Sequence, residues 1–369
     1  PMVKPNRDVD FNVGGVLGSF QEPVVLDALE MIEQTLVLGE GWNWMSLSVV
    51  TNDMTATSLM SPISGSVDVV KSKKRSIMRY ENVWDGGDIM MNNKEMYKVL
   101  MNNAEELSVI GSSPTDSERT ISVRSGWNWL AYNGTAAVSL GDAFASLNPE
   151  DGDLVKGKSG FAIFDGYEWA GTLQALVPSQ GYMYLSKADT DRSFSYPKSM
   201  AKAKVPAMEY QPVIVTIFNP VDNSKYPGNM TVVARITYDG KPLAECETGV
   251  FAGSECRTAG FTDSDGIVFL TVPGESVEKL TFRIKYGADI LISDNTLDYS
   301  DDAVVGNRKA PFEIGFDANS TTTSIVEVEN SEADVKWYTH DGYALKHKPR
   351  AAGVYIRVKN GEAEKIAVK

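Results

Sequence analysis

Histidine is nearly absent. The 369-residue chain holds two, His340 and His347, both near the C-terminus. Most imidazole-based acid–base, nucleophilic and metal chemistry is thereby excluded from the rest of the chain. No Gly-x-Ser-x-Gly, His-Glu-x-x-His or phosphate-loop pattern is present, and no pair among the 49 acids is singled out for glycoside hydrolysis. The expectation is therefore no catalytic residue, no metal and no cofactor. Basic charge is in short supply: 35 Lys and Arg against 49 Asp and Glu leave a net charge of −14. Nucleic acid and anionic lipid both need a basic surface, so neither is an expected partner. No run approaches the roughly 18 apolar residues that span a bilayer. The longest apolar-rich stretch, Val24 to Leu38, is broken by Asp27, Glu30, Glu33 and Gln34, so no transmembrane segment is expected. Pro1-Met2-Val3-Lys4 lacks the charged and apolar regions of a signal peptide, as a mature or truncated chain would.

Cysteine is also scarce. Cys246 and Cys256 enclose a segment that reads as a hairpin turning at Gly253-Ser254. In that register Cys256 faces Phe251, and an odd separation puts the two sulfurs on opposite faces. Free thiols are the favoured reading. A disulfide, worth about 3 kcal/mol in the chain-entropy model, is the alternative.

What the chain does have is an ordinary apolar fraction, 43%, enough for two or three domains with cores of their own. It also has an internal repeat. Gly41-Trp42-Asn43-Trp44 recurs 85 residues later as Gly126-Trp127-Asn128-Trp129. The same offset relates Thr35 to Thr120, Asp68 to Asp153, Lys71 to Lys156, Lys73 to Lys158, Trp84 to Trp169, Gly86 to Gly171 and Tyr97 to Tyr182. Register held without a gap across these residue types marks a tandem duplication. Six of the seven tryptophans occupy paired positions, and the first reading is that they anchor the core of each module. Each buried aromatic removes about 150–250 Å² from water, an upper estimate of about 4–6 kcal/mol. The second reading is stacking on the C–H faces of sugar rings. Trp84 and Trp169 are the candidates, each two residues before a glycine, with Tyr167 beside the latter. The lysine pairs Lys71/Lys73 and Lys156/Lys158 read as a solvated strand face rather than as contacts for a carboxylate ligand.

Each repeat reads as strands with one short helix. Strands are expected at Thr35–Leu38, at Thr120–Val123, around each Trp-Asn-Trp, and at Phe161–Phe164 and Gly181–Leu185. Ser139 is placed to cap a helix over Leu140–Leu147, with Thr55–Met60 its counterpart. A proline-spaced linker follows from Tyr196 to Pro212, then short strands with turn signals every ~8–12 residues, a sandwich pattern. Asp263-Ser264-Asp265-Gly266 reads as a hairpin turn, because the twelfth position of a calcium loop would be Gly274. The segment Val16 to Pro23 parallels Val304 to Pro311, so the N-terminal segment is read as the end of a preceding sandwich; a helix over Val24–Leu36 is the rival. Asp341-Gly342 and Asn360-Gly361 are hairpin signals, and His340 and His347 read as solvated or structural.

The expected fold is mainly β: two tandem small β-rich (α+β) repeats, an Ig-like β-sandwich and a small C-terminal β-domain. The divisions are 1–33 (N-terminal segment), 34–111 and 119–196 (repeats), 208–318 (sandwich) and 324–369 (C-terminal domain). The repeated Gly-Trp-Asn-Trp module, with Gly181-Tyr182-Met183 and Trp169-Ala170-Gly171, resembles modules of large secreted surface proteins of Bacteroidetes-type bacteria. Residues Met230–Ala234, Val250–Arg257 and Phe269–Val272 are similar to the Ig-like sandwich that accompanies them, and Ala352–Ile356 with Glu364–Val368 to their C-terminal sorting-type β-domain. The resemblance implies a secreted or outer-membrane-attached protein, described as an adhesin and without assigned catalytic residues. The expected function is a non-catalytic surface protein that binds glycans or host and surface proteins. The alternative is an accessory or stalk region of a larger secreted glycosidase or peptidase. Oligomeric state is not legible.

Overall fold

The computed structural model describes residues 31–197 and 216–323, together with strands 3–5, 26–28, 336–339, 344–345, 353–359 and 362–368. The chain is mainly β. None of the helices among the described residues is long and apolar enough to cross a membrane.

Val3–Pro5 (β1) and Leu26–Ala28 (β2) pair with each other. The first repeat comprises Met31–Leu38 (β3), Gly41–Met45 (β4), the short helix Ala56–Leu59 (α1), Val67–Lys71 (β5), Ser76–Tyr80 (β6), Val83–Asp85 (β7), Tyr97–Met101 (β8) and Glu105–Ser112 (β9). β3 pairs with β9, and the rest form an antiparallel sheet in the order β4-β8-β5-β6-β7. The second repeat follows a one-turn helix, Asp116–Arg119 (α2), held by a Thr115–Glu118 capping box. It comprises Ile121–Val123 (β10), Gly126–Ala131 (β11), Val138–Ser139 (β12), Leu140–Phe144 (α3), Leu154–Lys156 (β13), Phe161–Phe164 (β14), Trp169–Gly171 (β15), Ala175–Leu176 (β16), Gly181–Ser186 (β17) and Arg192–Phe194 (β18). Its sheet order, β11-β17-β13-β14-β15, with β10 against β18, is the first repeat's order shifted by 85 residues. Ser139 caps α3, its Oγ accepting the Asp142 amide at 3.2 Å.

Why the motif recurs is visible at atomic level. Gly41 and Gly126 sit at φ +86° and +79°, where L side chains are strained. Asn43 accepts the Gly39 amide at 2.9 Å and donates to the Gly39 and Gly41 carbonyls. Asn128 does the same with Arg124 and Gly126. The asparagine thus staples the turn that starts the strand. Tyr97 and Tyr182 likewise accept the amides of Asn92 and Val177, again 85 apart.

The motif tryptophans are not the cores of their own modules. The two repeat cores contain none of Trp42, Trp44, Trp127 and Trp129. Side chains alternate along β4 and β11, so the tryptophans point to the outer sheet face, opposite the core. Trp44, Trp127 and Trp129 meet at the seam between the repeats with Met96 and Met183. There Lys98 Nζ lies 4.4 Å from the Trp44 ring centroid and 5.0 Å from that of Trp129. Trp84 and Trp169 do pack against the cores, each from an edge strand.

The sandwich is built from Gly228–Tyr238 (β19), Lys241–Pro242 (β20), Glu247–Ala252 (β21), Glu255–Phe261 (β22), Ile267–Gly274 (β23), Lys279–Tyr286 (β24), Asp289–Asp298 (β25), Val304–Val305 (β26), Phe312–Phe316 (β27) and Thr321–Thr323 (β28). β19 carries β20, β23, β26 and β27; the second sheet runs β22-β21-β24-β25-β28. The two pack around Met230, Val232, Val250, Leu270 and Phe282. Both cysteines are free and buried, Cys246 in this core and Cys256 against Phe218 and Phe251. Burial pushes the thiols up, to about 11 and about 12. Asp263 closes the β22–β23 turn, accepting the amides of Asp265 and Ile267. Lys336–Thr339 (β29), Ala344–Leu345 (β30), Gly353–Lys359 (β31) and Glu362–Val368 (β32) form a four-stranded sheet.

One rival reading and one further expectation are corrected. The helix over Val24–Leu36 is not formed where the chain is described: Leu26–Ala28 and Met31–Leu38 are strands. The near-helical spacing is overridden by pairing of β3 with β9 along eight residues, which buries Leu36 and Leu38 on alternate positions. Nor is Lys156 solvated. It is wholly buried where the sandwich meets the second repeat, donating to the Asn229 carbonyl and to Asp302, each at 2.7 Å. Burial holds its ammonium below the usual lysine range, opposed by Asp302. Lys71, its counterpart, is exposed. Most of the expected linker, the Val16–Pro23 echo, His340, His347, Asp341-Gly342 and Asn360-Gly361 lie outside the described residues.

Candidate functional site

The β14–β15 connection, Asp165-Gly166-Tyr167-Glu168, is shaped by its first two residues. Gly166 takes φ +97°, and Asp165 accepts the amides of Glu168 and Tyr167 at 2.9 and 3.0 Å. Those two amides hold the Asp165 carboxyl below its usual range. The loop leaves Tyr167 94% exposed. Trp169 begins β15 opposite Phe164, their rings 5.4 Å apart. Its inner side packs on Phe144 and Tyr184, centroids at 5.5 and 6.2 Å.

Tyr167 and Trp169 line one open cleft of about 470 Å³, together with Phe164, Glu168, Gln174 and the Ser139–Gly141 start of α3. Neither the Tyr167 hydroxyl nor the Trp169 Nε1–H has a hydrogen-bond partner among the described residues. Gln174 is fixed by donating to the Gly171 carbonyl at 2.7 Å. The cleft therefore offers one exposed aromatic plane, one anchored plane, a carboxylate and an amide. That set suits a ligand with apolar C–H faces and hydroxyl groups.

Trp84 lies elsewhere, on β7 of the first repeat. The residue at the Tyr167 position there is Asn82, which accepts from Arg79 at 2.8 Å, and the Phe164 position is Arg79 itself. The first repeat has no matching aromatic pair. Of the three residues expected from sequence, two are brought together and Trp84 is not. Phe164, Glu168 and Gln174 were not foreseen. The signal for Phe164 and Gln174 lay in the differences between repeats, Phe for Arg79 and Gln for Ile89, rather than in the matches.

No family model matches the chain. No curated protein matches it either. Among solved structures, the Bacillus anthracis TIE protein aligns over 93% of this chain at 10% identity with a TM-score of 0.18. This chain spans 62% of that one, and a likeness so slight carries no argument about the site.

Proposed function

We propose that this chain is a non-catalytic extracellular surface protein, of the adhesin kind, that binds glycans or host and surface proteins through the Tyr167–Trp169 cleft. It would act secreted or attached to an outer membrane, as surface proteins of Bacteroidetes-type bacteria with a C-terminal sorting-type domain do. The observation that supports this reading is an almost fully exposed tyrosine beside a core-anchored tryptophan in one cleft with polar groups. Aromatic planes beside a few placed polar groups in a concave surface are the usual make-up of a ligand site.

The test is a glycan array with the intact chain, followed by titration of any hit against Tyr167→Ala. The expected result is binding weakened about tenfold or more. An array without hits, with cell adhesion unchanged on deletion, would end the reading; so would hits that Tyr167→Ala leaves at full affinity.

A second reading is an accessory or stalk region of a larger secreted glycosidase or peptidase. It is favoured by the buried contacts that fix the sandwich to both repeats, since a spacer needs fixed angles. Trp44 Nε1 donates to the Pro227 carbonyl at 3.2 Å, while Lys156 joins the sandwich to the second repeat.

A further inference from the structure

The outer faces of the two five-stranded sheets are copies of one another, yet among the described residues the sandwich lies over only one. In the second repeat, cross-strand pairing lines up Trp127, Leu185, Leu154 and Ile163 in one row. Val233, Ile267 and Phe269 of the sandwich close over it. In the first repeat the same ladder positions make the row Trp42, Leu100, Val69 and Met78. Apolar character is kept along these four strands; on the edge strand Asp85, paired with Met78, stands where the second repeat has Ala170 paired with Ile163.

Among the described residues no second sandwich lies over this row. Met78 is 57% exposed, against 7% for its counterpart Ile163. The pairing of Tyr80 with Val83 extends the open face by two more apolar side chains, 72% and 67% exposed. Their counterparts are Asp165 and Glu168. A contiguous apolar face of this kind marks a contact surface.

The duplication names the occupant. On the covered face the rim is held by charge: Lys309 of the sandwich donates to Asp151 at 2.7 Å and to the Asp165 carbonyl at 3.0 Å. In the first repeat those acids are Ser66 and Tyr80. The sequence echo of that sandwich segment, Val16 to Pro23, has Gln21 at the Lys309 position and Phe20 at the Arg308 position. Charge is lost from both sides of the rim together, and aromatic character is gained on both. We infer that the outer face of the first repeat is the docking surface for a second β-sandwich, of the type formed by residues 228–316, presenting an apolar sheet face as β19 and β23 do to the second repeat.

The test places the photo-crosslinker benzoylphenylalanine at Met78 in the protein as its own cells make it. Expected are crosslinked peptides from a strand alternating Val, Ile or Phe in a β-sandwich other than residues 228–316. In the unsubstituted protein, peroxide should oxidise Met78 about five-fold more slowly in cells than in the purified 369-residue chain. Met90, 69% exposed and off this row, is the reference and should not change. Sedimentation of the purified chain should give the same species with and without Met78→Glu. Three results would overturn the proposal: equal oxidation of Met78 in both settings, crosslinks to a protein without such a sandwich, or a purified dimer that Met78→Glu splits, which would make a second copy the occupant.

Discussion

Lys158 donates a hydrogen bond to the backbone carbonyl of Trp42. Its counterpart 85 residues earlier, Lys73, donates to the carbonyl of Trp127 at 2.5 Å. The amide of Ser46 reaches the Ser179 carbonyl, and that of Ala131 the Lys94 carbonyl, both at 3.0 Å. Every pair is reciprocal under the same offset. The repeats are thus joined as the halves of a two-fold dimer are, within one chain.

The two lysines differ in surroundings, and this predicts unequal consequences. Lys158 is half-buried and Lys73 exposed. Lys158→Ala should lower stability by about 1.5–3 kcal/mol, the range for hydrogen bonds to charged groups. Lys73→Ala should leave the urea midpoint unchanged. Chemical denaturation of both variants decides it.

Lys98 and Lys158 are both pushed down to about 8, chiefly by burial. Between that value and the unfolded value of 10.5, the unfolded chain binds more protons than the folded one. Stability should therefore rise with pH from about 8 toward 10.5. Buried tyrosines with raised values, among them Tyr97 and Tyr184, oppose this above their unfolded value of 10.0. Cys246 and Cys256, raised by burial from 9.0, oppose it sooner, so the clean window is about pH 7 to 8.5. Lys98→Met should flatten the rise there, measured as urea midpoints along the series.

Asn128 is 7% exposed, whereas Asn43 is half-buried. Asn128→Ala leaves the Arg124 amide and two carbonyls without their partner. The expected loss is about 2–3 kcal/mol, with a smaller loss for Asn43→Ala. Thermal melts of the two variants are the check.

The two cleft aromatics should separate by stability. Trp169→Ala removes a ring packed on Phe144, Phe164 and Tyr184 and should cost about 3 kcal/mol. Tyr167→Ala should stay within about 0.5 kcal/mol, as exposed positions do. Equal losses in calorimetry would contradict the placement of both rings.

Lys156→Met should destabilise by about 3 kcal/mol, because Asp302 and the Asn229 carbonyl lose their cation. Hydrogen exchange should rise on both sides of that contact, in β13 and at the start of β19 with the turn before β26.

The offset of 85 made the repeated strand pattern and the place of the short helices legible, since Thr55, Ser139 and the Trp-Asn-Trp strands stand where expected. It left the partner of each face hidden. Lys71 and Lys156 have the same local sequence signal, and only the landing of the sandwich on one of them separates an exposed lysine from a buried one. Trp84 and Trp169 pack against their module cores as expected, and the four motif tryptophans depart from that expectation for a related reason. Alternation puts them on one side of their strand, but hydrophobicity alone does not say whether that side faces the module's own core or another module. Tyr167 and Trp169 were noticed as aromatics near a turn. Their sharing of a cleft depends on α3, which lies more than twenty residues upstream.

A side chain added at Gly41 would meet the Ser224 carbonyl oxygen at 2.5 Å, while at Gly126 it would find open space. Two identical letters of a duplicated motif therefore answer to different constraints. At Gly126 an asparagine, at ease in left-handed backbone, is a workable substitute; at Gly41 it collides with a neighbour that arrived from elsewhere in the chain. Replacement of the glycine is therefore tolerated in one copy only, so descent from a common ancestor has not left the two positions equivalent.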